Sequence, residues 1–86
     1  MFEVSEPVNV WVLFKGNLIQ PLVFFWKNRQ IKVDKINLIH TTKNGDSLFY
    51  HFSLSSGGNF YRLKFDLKIL KWFLEEVEED EDSSTH

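Results

Sequence analysis

Leu48–Phe65, LFYHFSLSSGGNFYRLKF, is the stretch whose reading decides the fold. Leu48, Tyr50, Phe52 and Leu54 alternate with Phe49, His51, Ser53 and Ser55. Tyr61, Leu63 and Phe65 alternate with Phe60, Arg62 and Lys64. Side chains of a strand point alternately to its two faces, so each half is a strand with one apolar face and one more polar face. A two-residue turn at Gly57-Gly58 supplies the positive φ such a hairpin needs. It opposes Leu54 with Tyr61, Phe52 with Leu63 and Tyr50 with Phe65 on one face, and Ser53 with Arg62 and His51 with Lys64 on the other.

Further turn signals lie at Lys15-Gly16-Asn17, Lys27-Asn28-Arg29 and Lys43-Asn44-Gly45-Asp46. Short strands between regularly spaced turns indicate an all-β fold, an antiparallel five- to six-stranded meander or a small barrel. A turn at Lys27-Asn28 opposes Phe24 with Ile31 and Leu22 with Val33. Val8–Phe14 and Leu22–Trp26 are apolar on both faces and call for a central place or a covering layer. From Gln30 to Thr42 the phase changes: Ile31 and Val33 are odd-numbered, whereas Ile36, Leu38 and His40 are even-numbered. A bulge near Asp34-Lys35 would restore one inward face.

The turn at Lys43–Asp46 offers two registers. A two-residue Asn44-Gly45 turn opposes Leu38 with His51 and Asn37 with Phe52, mixing polar with apolar. A three-residue loop, Lys43 to Gly45, opposes Leu38 with Tyr50, Ile36 with Phe52 and His40 with Leu48. Burial is expected to select the second, with Gly45 in the left-handed region. His40 then faces the core and His51 the opposite side, so the two do not converge.

Leu67–Val77 reads two ways. Leu67, Leu70, Phe73 and Val77 have helical spacing behind an Asp66 N-cap, giving an α+β alternative with a helix over 67–78 on the sheet. Against it, Lys68 and Lys71 precede Glu75 and Glu78, which opposes the helix dipole. As a strand, the same segment turns Leu70, Trp72 and Leu74 inward.

The 86 residues make one domain, 1–78, with an acidic tail, 79–86, expected to be disordered from about Asp80. Fourteen aromatic residues (nine Phe, three Trp, two Tyr) compensate for a core this small. Residues 1–74 hold all ten Lys and Arg against five acids, a charge of +5; residues 75–86 hold seven acids and no base, −7. Cys is absent, which excludes disulfides and thiolate metal sites. Apolar runs reach five residues, as in Leu22–Trp26, against about twenty for a membrane-spanning helix. The start, Met1–Glu6, is acidic and unlike a signal peptide, so a cytoplasmic location and no membrane are expected.

Phe24-x-Trp26-x-Asn28-Arg29-x-Ile31-x-Val33, followed by Phe49–Phe52, Tyr61–Asp66 and Trp72-Phe73-Leu74-Glu75-Glu76-Val77, resembles a pattern in small bacterial proteins of unknown function. The likeness covers roughly residues 8–78, and Ile31 departs from it where an aromatic is commoner. It implies a β-meander ending in a strand, and no activity.

The chemistry-bearing residues are scattered. Zinc needs three or four convergent ligands, and the three His residues are His40, His51 and His86. Ser53, Ser55 and Ser56 lack a nucleophile elbow, and Gly57-Gly58 lacks the Lys and Ser/Thr of a phosphate loop. The expectation is a non-catalytic chain with no metal and no cofactor. Two binding surfaces are candidates. Trp11, Leu13, Val23 and Phe25 form a self-association face for a protein partner or a homo-oligomer. His51, Phe60, Arg62, Lys64, Arg29 and Lys32 form the alternative, a basic aromatic face for single-stranded nucleic acid.

Overall fold

The computed structural model describes residues 2–79. Apart from Glu79, the expected tail falls outside them. The strands are β1 (Phe2–Lys15), β2 (Leu18–Trp26), β3 (Arg29–Lys32), β4 (Lys35–Asn44), β5 (Ser47–Ser56), β6 (Asn59–Asp66) and β7 (Lys71–Glu78). They form one antiparallel sheet in the order β3-β2-β1-β7-β6-β5-β4. The fold is all-β, with seven strands where five or six were expected. The helical alternative for 67–78 does not form: Leu67–Leu70 is a turn and Lys71–Glu78 a strand. Asp66, instead of capping a helix, accepts hydrogen bonds from the Lys68 and Ile69 amides inside that turn.

Strand number departs from expectation at one place. The predicted bulge near Asp34-Lys35 is a break between strands, because Val33 and Asp34 carry the chain from one edge of the sheet to the other. The Val33 amide bonds to the Leu22 carbonyl of β2, and the Asp34 amide to the Ser55 carbonyl of β5. Two residues can join opposite edges only if the sheet curls until those edges meet, which gives the barrel-like bend. The Gly57 amide donates to the Asp34 carboxylate and Ser56 Oγ to the Lys32 carbonyl, securing the same junction.

The β5–β6 hairpin has the predicted register, pair for pair, from Tyr50↔Phe65 to Leu54↔Tyr61. Phe24 lies across from Ile31, as the Lys27-Asn28 turn requires. Both of that turn's central residues have positive φ, +51° and +59°. The core lies inside the curl. Phe24, Phe52, Leu54, Leu63, Leu74 and Val77 are essentially inaccessible, with Trp26, Phe65 and Trp72 around them and Tyr50 packed against the cluster. Each such side chain contributes about 1.5–3 kcal/mol by leaving water. The Trp26 indole N–H donates to the Glu6 carboxylate at 3.0 Å, so this ring is buried without an orphaned donor.

The β4–β5 register differs from both sequence readings. Asn44 pairs with Ser47 around a Gly45-Asp46 turn, and His40 faces His51, Thr41 faces Tyr50 and Ile39 faces Phe52. Gly45 has φ +64° as expected, but the three-residue loop does not form. A bulge at Asn37 then resets the phase, so that Ile36 lies across from Leu54. Burial was expected to dictate this register. It has no leverage here, because β4 is an edge strand and nearly every residue beyond Ile36 is exposed.

Candidate functional site

The convex face of β4–β7 carries the densest polar chemistry. β7 is bulged at Glu75: Arg62 pairs with Glu76, and Leu63 with Leu74. The extra residue brings two consecutive carboxylates to one guanidinium. Arg62 Nε donates to Glu75 Oε1 at 3.2 Å, and its terminal nitrogen reaches Glu76. Glu75 Oε1 also lies 2.8 Å from His51 Nδ1, and His51 Nε2 lies 2.7 Å from Thr42 Oγ1. The neutral Nδ1–H tautomer satisfies both contacts, donating to Glu75 and accepting from the Thr42 hydroxyl. The His40 ring stacks on His51 with centroids 4.6 Å apart and planes 9° from parallel. His51 is thereby 8% exposed although it lies on the outer face. The expectation that the two histidines stay apart is overturned, because the Gly45-Asp46 turn sets them directly across from one another.

Thr42, His51 and Glu75 follow the hydroxyl–imidazole–carboxylate order of a hydrolytic triad. Acyl transfer also needs donors aimed at a developing oxyanion and a seat for substrate. Thr42 is exposed on an edge strand, and the main clefts of the sheet are lined by other residues. His51 is covered by His40, and Glu75 is shared with Arg62. The arrangement is a clasp that ties β4, β5, β6 and β7 together on the side away from the core. Among the described residues no cluster of three or more His and acidic groups has the geometry to hold a metal ion.

The residues expected to contact nucleic acid are not brought together. His51, Arg62 and Lys64 share the convex face, but the first two are engaged in the clasp. The Lys64 ammonium sits between the Phe49 and Phe73 rings, 5.2 Å from each centroid. Phe60 is exposed near the β5–β6 turn. Arg29 and Lys32 lie on β3: the Lys32 backbone meets Ser56 beside the β5–β6 turn, whereas Arg29, with Lys27, approaches the Trp26 ring. Glu75 and Glu76, counted with the tail in the charge balance, belong to β7 and meet Arg62.

The residues of the other candidate face lie together on the β1–β2 hairpin. Trp11 lies across from Val23 on the outward side of the β1–β2 hairpin, and the Trp11 and Phe25 rings meet edge to face at 5.5 Å. Val23 is buried, Phe25 half-buried, and Trp11 and Leu13 are 59% and 43% exposed. The chain matches no family model, no curated protein and no solved structure. Geometry alone therefore ranks the surfaces, and among the described residues five of the ten exposed large hydrophobic side chains lie on the β1–β2 hairpin. Phe14 and Leu18, near its tip, are 59% and 47% exposed and were not singled out from sequence. The signal for Phe14 was present in Val8–Phe14, which is apolar on both faces.

Proposed function

We propose that this protein is a non-catalytic β-module that acts by self-association through its β1–β2 hairpin. The observation that carries this reading is the apolar surface of Trp11, Leu13 and Phe25 over Val23, with Trp11 more than half exposed. A lone exposed hydrophobic residue is ordinary, whereas a contiguous aromatic patch marks a contact surface. Aromatic residues also dominate the centres of interfaces. The nucleic-acid alternative has less support, since Arg62 is neutralised by two carboxylates, His51 is held in the clasp and the Lys64 ammonium sits between two aromatic rings.

The test is the mass of the full chain in solution, measured by sedimentation over a wide concentration range. The expected result is concentration-dependent association that Trp11→Lys abolishes. A single-chain mass throughout, together with salt-sensitive binding to a labelled oligonucleotide, would replace this reading with the alternative.

A further inference from the structure

The sheet has two formal edges, and both are guarded. β3 is four residues long and carries Arg29 and Lys32. β4 is bulged at Asn37 and carries Lys35 and Lys43. Short length, bulges and lysines are devices that keep edges from pairing with other chains. A third edge is less guarded: it runs for seven residues, its one lysine, Lys15, stands at the end of the strand, and the register shift at Trp11/Val12 is on the side paired with β2. β1 changes partners halfway along: its pairing with β7 ends at Val8↔Trp72, and its pairing with β2 runs from Asn9 to Lys15. Over Asn9–Lys15 one side of β1 therefore meets β2, and among the described residues the other meets no strand.

Hydrogen-bonded and non-bonded positions alternate along an antiparallel pair. Lys15↔Leu18 closes the two-residue turn, so Lys15 and Leu13 bond to β2, and Phe14 and Val12 direct their N–H and C=O to the open side. Pro21, which has no N–H to give, lies opposite Val12, in agreement. The register with β2 shifts between Trp11 and Val12, but the extra residue, Leu22, is on β2, so β1 keeps its alternation and Val10 continues the open series. The nearby backbone bonds that leave the strands, Leu67 N–H to Leu48 and Leu70 N–H to Asp66, engage none of these three residues.

We infer that Asn9–Lys15 is the pairing edge for a second copy of this chain, with two β1 strands joined antiparallel about a two-fold axis through Val12. The inference rests on the self-association reading and specifies its geometry. An isologous contact maps residue i onto j and j onto i. Centred on Val12, Trp11 lies opposite the partner's Leu13, Val10 opposite the partner's Phe14, and Asn9 opposite the partner's Lys15. The neighbouring symmetric registers are worse. Centring on Leu13 sets Trp11 against the partner's Lys15, and centring on Trp11 sets Leu13 against the partner's Asn9. The edge is thus its own complement on both faces at once, which an unrelated peptide has no reason to be. Phe14 lines a cleft of about 650 Å³ beside Val10, Val12, Leu70 and Trp72, into which the partner strand's inward side chains pack.

Val12→Pro tests this directly. By the alternation along β1 the Val12 N–H bonds to no strand among the described residues, and proline is tolerated at strand positions whose N–H faces outward. The wild-type chain is expected to reach twice its 10.3 kDa mass at high concentration, with Val12→Pro and Trp11→Lys both monomeric and retaining the wild-type far-ultraviolet spectrum. A dimeric Val12→Pro beside a monomeric Trp11→Lys would overturn edge pairing and leave self-association through the outer face standing. A wild-type chain that never exceeds one mass would overturn both. Should Val12→Pro fail to fold, amide exchange of the wild type decides. Exchange of the Val10, Val12 and Phe14 amides should slow at least about tenfold on concentration, with Leu13 unchanged. Equal rates at both concentrations would refute the pairing.

Discussion

The β5–β6 and β1–β2 hairpins look alike as sequence, both rich in aromatic and aliphatic residues around a glycine turn, yet they solve different problems. In β5–β6 every second residue enters the core, and the residues between are Ser53, His51, Arg62 and Lys64. That outer face is closed by its own polar clasp through Glu75 and Thr42. In β1–β2 both sets are apolar: Val8, Val10, Val12 and Ile19 pack toward the core, and Trp11, Leu13 and Phe25 face outward. Nothing among the described residues covers the outward set. The first hairpin is finished within one chain, whereas the second is left with apolar surface and an unpaired backbone edge.

Four substitutions test how deep that contrast runs. The largest effect belongs to the finished hairpin. Phe52 is 0% exposed and packs against Trp72, so Phe52→Ala should destabilise by about 3–5 kcal/mol in chemical denaturation. In a domain this small that approaches the whole folding free energy. A midpoint that barely moves would mean Phe52 is not in the core. Next is the clasp. Glu75→Ala leaves the half-buried Arg62 and the buried His51 Nδ1–H without their shared acceptor and should cost roughly 1–3 kcal/mol. Loss of stability equal to that of an exposed control such as Glu3→Ala would reduce the clasp to an ornament of the surface.

Gly45→Ala should cost about 1 kcal/mol through backbone conformation alone. A Cβ there meets nothing within 4 Å, so steric crowding does not contribute, and the φ of +64° does. A stabilised variant would show that the Gly45-Asp46 turn, and with it the facing of His40 and His51, is wrong. The smallest effect on folding belongs to the unfinished hairpin. Trp11→Ala, measured at dilutions where the chain is monomeric, should change stability by less than about 0.5 kcal/mol, as exposed sites do. A change as large as that of Phe52→Ala would place Trp11 in a layer within the chain and remove the contrast between the hairpins.

Local pattern and turn chemistry determined a good deal of this protein. Alternation at Leu48–Leu54 and Tyr61–Phe65 together with Gly57-Gly58 specified a register that forms as read, because one face there is buried and a one-residue slip would expose it. Phe24↔Ile31 followed from Asn28 in the same way. The apolar outward face of Trp11, Leu13 and Phe25 was legible because alternation places those residues together without help from the rest of the fold. Three things were decided only in three dimensions. Val33-Asp34 reads locally as a phase slip, and that it spans opposite edges depends on β2 and β5 arriving on either side. The β4–β5 register escaped a burial argument because β4 turned out to be an exposed edge, leaving the turn and the Asn37 bulge to set it. Glu75 looked like the start of a charged tail. A bulge placed it beside Arg62, and its contact with His51 depends on a strand twenty-four residues away in the chain. Period-two alternation assigns a residue to a face of its own strand. Which strands become neighbours, and therefore which faces are covered, is fixed by how the whole sheet curls.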